Sequence, residues 1–242
     1  MSHLVNCIDT CAGPFELVTG SKDGSVKVWD PRTNEAVVSL NPSITGIDCW
    51  AVCFGDAAAD SQKCVVSGYD NGDVKLFDLR KMATRWETNV HNGVCQVSFD
   101  RKDIKMNKLS VSCLESQLHV FDMRTFNKEL GGYACGTNHI GKSTIWGSNY
   151  LPQNREIMAI NDGAGNLSLY KYTYPAKRAI KNQETGLDFG VPGTIELLCQ
   201  PYNFSVQPIV SFDWHNERRG LGVLVSLDQQ IKITICTKLE TI

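Results

Sequence analysis

The chain of 242 residues carries a formal net charge of −2, because 24 lysines and arginines are offset by 26 aspartates and glutamates. A chain of this length buries roughly 70 to 75% of its unfolded surface on folding, which is enough for one core, and its charge balance argues against a general nucleic-acid binder, which needs a basic face. The sequence has no apolar run of about 18 residues and no basic start followed by an apolar run, so it indicates neither a membrane span nor a secretory signal, and we expect a cytoplasmic protein.

The first clear element is a hairpin over residues 17–32, LVTGSKDGSVKVWDPR. Its two runs are rich in β-branched and aromatic residues at alternating positions, a pattern that favours half-buried strands. Asp23-Gly24 supplies a tight turn between the runs, and Trp29-Asp30 closes the second run. This stretch therefore predicts two antiparallel strands.

The same pattern returns along the chain in VVSGYDNGDVKLFDLR, LSVSCLESQLHVFDMR, MAINDGAGNLSLYKY and VLVSLDQQIKITI. Asp30, Asp78 and Asp122 close the first three hairpins, and Lys171 occupies the corresponding position in the fourth. These positions are about 44 to 49 residues apart, and repeats of that length are typical of β-propeller blades. The sequence therefore predicts one all-β propeller domain over residues 1–242.

The repeats are predicted to contribute four strands each. They cover residues 3–44, 45–91, 92–138, 139–204 and 205–242. In the third repeat, we place the fourth strand at residues 130–134. Residues 173–192 are polar, rich in glycine and proline and without alternation, so we expect a protruding insertion loop without strands. The fifth repeat stops after its third strand at residues 231–235, which leaves an unpaired edge; either the five blades close imperfectly or sequence upstream of Met1 is missing.

Large aromatic residues end the first strand of four repeats, and we expect them to fill the gaps between neighbouring blades. These residues are Phe54, Phe99, Tyr150 and Trp214. Trp50 and Trp146 share one position earlier in two of these strands, and we predict that they also lie in the core.

The chain has ten cysteines, and Cys7/Cys11 and Cys49/Cys53 share one spacing. Zinc sites usually use closer pairs, or a histidine partner at a fixed spacing, and no second matching pair lies near these cysteines. Most of the cysteines lie inside apolar strand patterns, so we predict reduced thiols in the core and no metal site.

Catalytic motifs are absent from the sequence, which has no GxSxG, no GxxxxGK[ST] and no HExxH. The glycine-rich residues 20–24 lie between two predicted strands, which is the wrong context for a phosphate site at a helix start. The histidines are scattered over different repeats or turns: His3, His91, His119, His139 and His215. We therefore expect no enzymatic activity and no cofactor.

An Asp-x-Arg pattern ends three of the hairpins. The pairs are Asp30/Arg32, Asp78/Arg80 and Asp122/Arg124. One interpretation is structural: each aspartate caps the turn after the third strand, and each arginine pairs locally at the surface. The other is functional: three arginines at equivalent turns lie on one face and dock an acidic protein partner, because arginine is enriched at binding hot spots. Both interpretations stay open.

The hairpins that end in WDPR, FDLR and FDMR resemble WD repeats. More narrowly, GYDNGDVKLFDLRKMATRWETNVHNGVCQVSFDRKDIKMNKL, LPQNRE and YKYTYP resemble the Monad-type WD-repeat proteins, a family of dynein axonemal assembly factors, and the resemblance covers nearly the whole chain. It implies a WD-repeat β-propeller in which these five blades are the last five of seven. It further implies a non-enzymatic cytoplasmic scaffold that works with RuvB-like AAA+ ATPases, a prefoldin-like co-chaperone and dynein subunits to preassemble the dynein arms of cilia.

The chain departs from this family pattern in two repeats. Tyr170-Lys171 and Thr234-Ile235 stand where Trp-Asp is usual, and the Gly-His pair that usually precedes a blade is absent. We therefore expect the Trp, Ser or Thr, His and Asp hydrogen-bond tetrad of the family to be incomplete in most blades.

An alternative function comes from residues 17–32, which also resemble the WDxR box of substrate receptors for cullin-4 ubiquitin ligases. The positions that fit this box are Val18, Thr19, Gly20, Ser21, Asp23, Val26, Val28, Trp29, Asp30 and Arg32. A third possibility is a scaffold for unrelated partners. The motifs alone do not decide among the three.

Overall fold

The computed structural model describes residues 4–10, 16–33, 35–41, 46–56, 63–181 and 187–239. In this part of the chain nearly all regular structure is β-strand, arranged in five antiparallel sheets and one short two-stranded ribbon. The chain divides into two compact units, Met1–Val111 and Ser112–Ile242. The predicted fold class, an all-β propeller with five recognisable blades, is confirmed.

The first blade contains four strands, each paired with the next along the chain. They are β1 Val5–Thr10, β2 Leu17–Ser21, β3 Val26–Trp29 and β4 Ala36–Leu40. Asp23 Oδ1 accepts a hydrogen bond from the backbone N–H of Ser25 at 3.0 Å, and Gly24 has a φ of 76°, so the predicted tight turn forms.

The second blade repeats this order. Its strands are β5 Cys49–Gly55, β6 Cys64–Tyr69, β7 Asp73–Asp78 and β8 Ala83–Asn89. Gly72 lies in the turn between β6 and β7 with a φ of 89°. Glycine fits this position because it adopts a positive φ without strain.

The third blade has the strands β9 Val94–Phe99, β10 Lys108–Cys113, β11 Gln117–Asn127 and β12 Gly132–His139. The boundary between the two units falls inside β10. The prediction of a strand from residue 130 is wrong at its start, because a 3₁₀ helix covers Lys128–Leu130. The Asn127 side chain accepts a hydrogen bond from the backbone N–H of Glu129, and Gly131 ends the helix with a φ of 83°. The strand β12 therefore begins at Gly132 and not at residue 130.

The fourth blade has three long strands and two short ones. These are β13 Ile145–Leu151, β14 Asn154–Asp162, β15 Asn166–Thr173, β18 Thr194–Leu197 and β19 Tyr202–Asn203, and the last two both pair with β15.

Between β15 and β18 the chain forms an arm made of β16 Ala179–Lys181 and β17 Asp188–Gly190, which pair with each other. The prediction of an insertion without strands is therefore wrong. The arm packs on the third blade: Asn127 Nδ2 donates to the Asp188 carbonyl at 2.8 Å, and a Cβ at Gly190 would lie 2.7 Å from that of Ala134. Strands of three residues are too short to give an alternating pattern, so their pairing is set by this packing.

The fifth blade has three strands in the described residues. They are β20 Ile209–Trp214, β21 Leu221–Ser226 and β22 Gln230–Ile235, with β22 at the edge of the sheet. The predicted unpaired edge strand over residues 231–235 is confirmed for this part of the chain.

Each unit has its own buried apolar residues. In the first unit one cluster joins the first two blades, and it contains Val18, Val26, Val28, Cys49, Val52, Phe54, Val65 and Tyr69. In the second unit one cluster joins the fourth and fifth blades, and it includes Leu151, Ile157, Leu169, Ile209, Phe212 and Trp214.

The aromatic residues that end the first strands are buried, as predicted. They are Phe54, Phe99, Tyr150 and Trp214. Phe99 of the third blade lies against Gly55 of the second, where an added Cβ would come within 2.6 Å of its ring. Trp146 contradicts the prediction that it lies in the core, because it is exposed. Ile145 pairs with Asp162 and Gly147 with Asn161, so Trp146 is the extra residue of a β-bulge in β13, and the bulge turns its indole outward while Ile145 and Gly147 stay buried.

All nine cysteines in the described ranges are free thiols, and Cys199 alone among them is exposed; Cys11 lies outside these ranges. Burial raises the pKa of the Cys53 and Cys95 thiols to about 12. These thiols stay protonated near neutral pH, which fits a packing role.

Candidate protein-interaction site

The first blade contains the hydrogen bond that is typical of a WD repeat. Trp29 Nε1 donates to Thr19 Oγ1 at 2.9 Å, which ties β3 to β2. Phe77 and Phe121 stand at the corresponding positions of the next two blades, and phenylalanine has no N–H to donate. The indole-to-hydroxyl bond is therefore limited to the first of these three blades, in agreement with the expected incomplete tetrad.

Asp30 and Arg32 form a local pair at the turn after β3. Asp30 accepts from Arg32 Nε at 3.0 Å and Nη2 at 2.7 Å, and from the Arg32 backbone N–H at 2.9 Å. The hydrogen bonds from the Arg32 side chain, followed by the one from its backbone, lower the pKa of Asp30 to about 2. The Arg32 side chain is 83% exposed, so it reaches solvent while it is held by its own turn.

We expect Arg32→Ala to leave the melting temperature within about 2 °C of the unchanged protein, because an exposed pair is screened by water. A thermal melt followed by circular dichroism measures this. A much larger drop would show that the arginine is a structural residue and would remove it from the docking hypothesis.

At the second Asp-x-Arg turn the aspartate also acts as a cap. Asp78 Oδ1 accepts from the backbone N–H groups of Arg80 at 3.0 Å and Lys81 at 2.9 Å. At this turn Asp78 caps the backbone, and the side chains of Arg80 and Lys81 are exposed to solvent.

The third Asp-x-Arg pair lies in a different environment. Asp122 is fully buried inside the long strand β11, and Arg124 belongs to the same strand rather than to a turn. Asp122 Oδ1 accepts from the Arg124 backbone N–H at 3.0 Å and from Arg178 Nη1, near the arm, at 3.4 Å. Arg178 also stacks on the Tyr174 ring, 4.4 Å from its centroid.

The prediction of three equivalent turns is therefore wrong for the third pair. The six predicted residues also divide between the units, with Asp30, Arg32, Asp78 and Arg80 in the first and Asp122 and Arg124 in the second. A role of these arginines in docking an acidic partner stays a prediction. The sequence analysis missed Arg178, because nothing in a single sequence relates it to an aspartate 56 residues earlier.

Replacing Arg178 with alanine should loosen the arm, because the buried Asp122 carboxylate loses a cationic partner at a cost of about 1 to 3 kcal/mol. Limited proteolysis with mass spectrometry of the fragments should then show faster cleavage within residues 173–192. Lys177→Ala, one residue away and exposed, is the matched control and should be cleaved like the unchanged protein. Equal cleavage of both variants would contradict the anchoring role of Arg178.

Other site types find no support in the described ranges. No group of three or more histidine, cysteine, aspartate or glutamate side chains there is placed to hold a metal ion. No helix in those ranges has the length and apolar character needed to cross a membrane.

The meander sheets, the repeat spacing and the Trp29–Thr19 bond together define a WD-repeat β-propeller protein. The chain is 48% identical to Dynein axonemal assembly factor 10 of Xenopus tropicalis over 99% of its length, 48% identical to the human protein over 99%, and 46% identical to the Chlamydomonas reinhardtii protein over 100%. It spans 68%, 69% and 69% of these relatives. The chain belongs to the dynein axonemal assembly factor 10 family, which confirms the resemblance to dynein axonemal assembly factors. No family model matches it.

Proposed function

We propose that this protein is a non-enzymatic scaffold in the cytoplasmic preassembly of axonemal dynein arms, where it acts as a co-chaperone adaptor. The observation that carries the proposal is the identity of 46% to 48% over nearly the whole chain to assembly factors of animals and an alga. The partners we propose are RuvB-like AAA+ ATPases, a prefoldin-like co-chaperone and dynein subunits.

The surface of the blades supports a binding role. The turns after β3 and β7 carry exposed basic side chains on capped backbones, as the geometry of Arg32, Arg80 and Lys81 shows. Because the backbone of each turn is already held by the aspartate, a partner would have to order only the side chains, and their positive charge favours an acidic partner.

Affinity purification of the tagged chain from ciliated cells, read by mass spectrometry, tests the proposal. We expect RuvB-like ATPases and dynein heavy chains to be enriched over an unrelated tagged propeller. In cells that lack the protein, electron microscopy of axonemes should show missing dynein arms. Normal arms together with no RuvB-like ATPase in the purification would contradict the proposal.

The alternative, a substrate receptor of a cullin-4 ligase, depends on an exposed Arg32, and the structure leaves this side chain accessible. The same purification separates the two functions. A cullin-4 adaptor that is recovered with the unchanged chain and lost with Arg32→Ala would favour the receptor. Recovery of RuvB-like ATPases with both chains would favour the assembly scaffold.

A further inference from the structure

A cavity of about 640 Å³ lies in the first unit, a volume within the range of roughly 300 to 1,000 Å³ typical of ligand sites. Its lining comes from three parts of the chain. Arg80 and Lys81 lie in the turn after β7, Asp56 directly follows β5, and Lys105 lies between β9 and β10. Arg85 of β8 also lines the cavity. Residues from two neighbouring blades thus meet around one space.

A β-bulge places Arg85 at this cavity. Leu76 pairs with Trp86 and Phe77 pairs with Thr84, so Arg85 is the extra residue on β8. Bulges redirect a side chain away from the regular alternation of a strand. Arg85 Nη1 lies 3.9 Å from Asp56 Oδ2, and 43% of the arginine side chain stays exposed. The guanidinium is therefore both oriented and accessible.

The two carboxylates of the cavity are already engaged by backbone groups. Asp56 Oδ1 accepts from the backbone N–H of Met106 at 2.6 Å and is almost fully buried. Asp78 caps its own turn through two backbone N–H groups. Among the described residues that line the cavity, four cationic side chains face these two carboxylates, so this part of the lining carries an excess of positive charge.

We propose that this cavity binds an acidic peptide segment of a partner protein, with a side-chain carboxylate or phosphate held by Arg80 and Arg85. Guanidinium groups match the planar, two-oxygen geometry of these anions, and Lys81 and Lys105 add positive charge at the rim. The inference deepens the proposed scaffold function, on which its biological meaning rests, because it names the chemistry of one partner.

Fluorescence anisotropy with the purified full chain tests this inference. The probes are a fluorescein-labelled oligoglutamate peptide, a phosphoserine peptide of equal length and an oligolysine peptide. We expect the two acidic probes to bind and oligolysine not to bind. Tighter binding of phosphoserine assigns the pocket to phosphopeptides, and equal binding assigns it to carboxylates.

Three double variants decide whether the cavity is responsible. Arg80→Glu/Arg85→Glu should weaken acidic-probe binding about tenfold or more, since each charge-assisted hydrogen bond contributes on the scale of one such factor. Lys22→Glu/Lys177→Glu makes the same charge change at exposed positions that do not line the cavity, and this variant should bind as the unchanged chain does. Arg80→Gln/Arg85→Gln, checked by a melting curve, should also lose affinity and guards against misfolding.

Equal losses in the cavity and control variants, or no loss in either cavity variant, would overturn the inference. The purification of RuvB-like ATPases is independent of this assay. If the probes fail while those ATPases are recovered, the cavity inference falls and the scaffold function stands.

Discussion

Replacing Ile233 with lysine should turn a self-associating protein into a monomer. Ile231, Ile233 and Ile235 of the edge strand β22 are 74%, 76% and 71% exposed. Val223 pairs with Ile233 and Val225 with Ile231, and both valines are exposed as well, so they extend the same apolar face. An exposed, apolar edge strand is a template for pairing with another chain.

The sequence of β22 also complements itself. In an antiparallel pair of two copies centred on Ile233, Ile231 of one copy lies opposite Ile235 of the other, and the apolar faces of both sheets join. Lys232 and Thr234 then meet on the other face, which avoids placing like charges directly opposite each other. We therefore expect a second copy of the chain to occupy this edge.

Light scattering coupled to size-exclusion chromatography at several concentrations measures this. We expect dimers or larger species for the unchanged chain and a monomer for Ile233→Lys, because a charge at the centre of the edge opposes pairing. Val37→Lys, at an exposed apolar position of the edge strand β4, is the control and should keep the self-association. A monodisperse monomer of the unchanged chain at every concentration would contradict the prediction.

Gly165→Ala should lower the free energy of unfolding by about 3 to 5 kcal/mol. Gly165 lies in the turn between β14 and β15 with a φ of 79°, a conformation that strains any residue with a Cβ. An added Cβ would also overlap the Ser205 carbonyl oxygen and lie 2.7 Å from its carbon. The positive φ and the overlap with Ser205 both involve the backbone, which does not move aside as a flexible side chain does.

Two other glycines separate these contributions. Gly131 has a φ of 83° with no atom within 4 Å of an added Cβ, so Gly131→Ala should cost only the backbone strain, about 1 to 2 kcal/mol. Gly141 has an ordinary φ and open space, so Gly141→Ala should be neutral or slightly stabilising. Urea unfolding of the three variants gives the ranking, and a loss at Gly165 no larger than that at Gly131 would show that the Ser205 backbone yields.

The strands of the fold were largely predictable because their pattern is local. The hairpin predicted over residues 17–32 is found as β2 Leu17–Ser21 and β3 Val26–Trp29, since its alternating β-branched residues are separated by a clear Asp-Gly turn. The arm was not predictable, because its three-residue strands form through packing on the third blade.

The candidate sites were less predictable from the sequence than the strands, because they depend on tertiary packing. Asp30, Asp78 and Asp122 share one motif, yet the structure gives them an exposed ion pair, a backbone cap and a buried position facing Arg178. The cavity lined by the second and third blades combines Arg80, which the motif identified, with Arg85 and Lys105, which it did not. The tertiary structure brings these cations together, and no regular spacing in the sequence predicts that they meet.

The burial of the cysteines has a practical consequence for experiments on this protein. Burial raises the pKa of the Cys53 and Cys95 thiols to about 12, so both are almost entirely protonated at pH 7. Maleimide and other thiol reagents attack the thiolate, so these positions react slowly while the protein is folded. Among the described cysteines Cys199 alone is exposed, and a fluorescent label attached there would report on the fourth blade without disturbing the core.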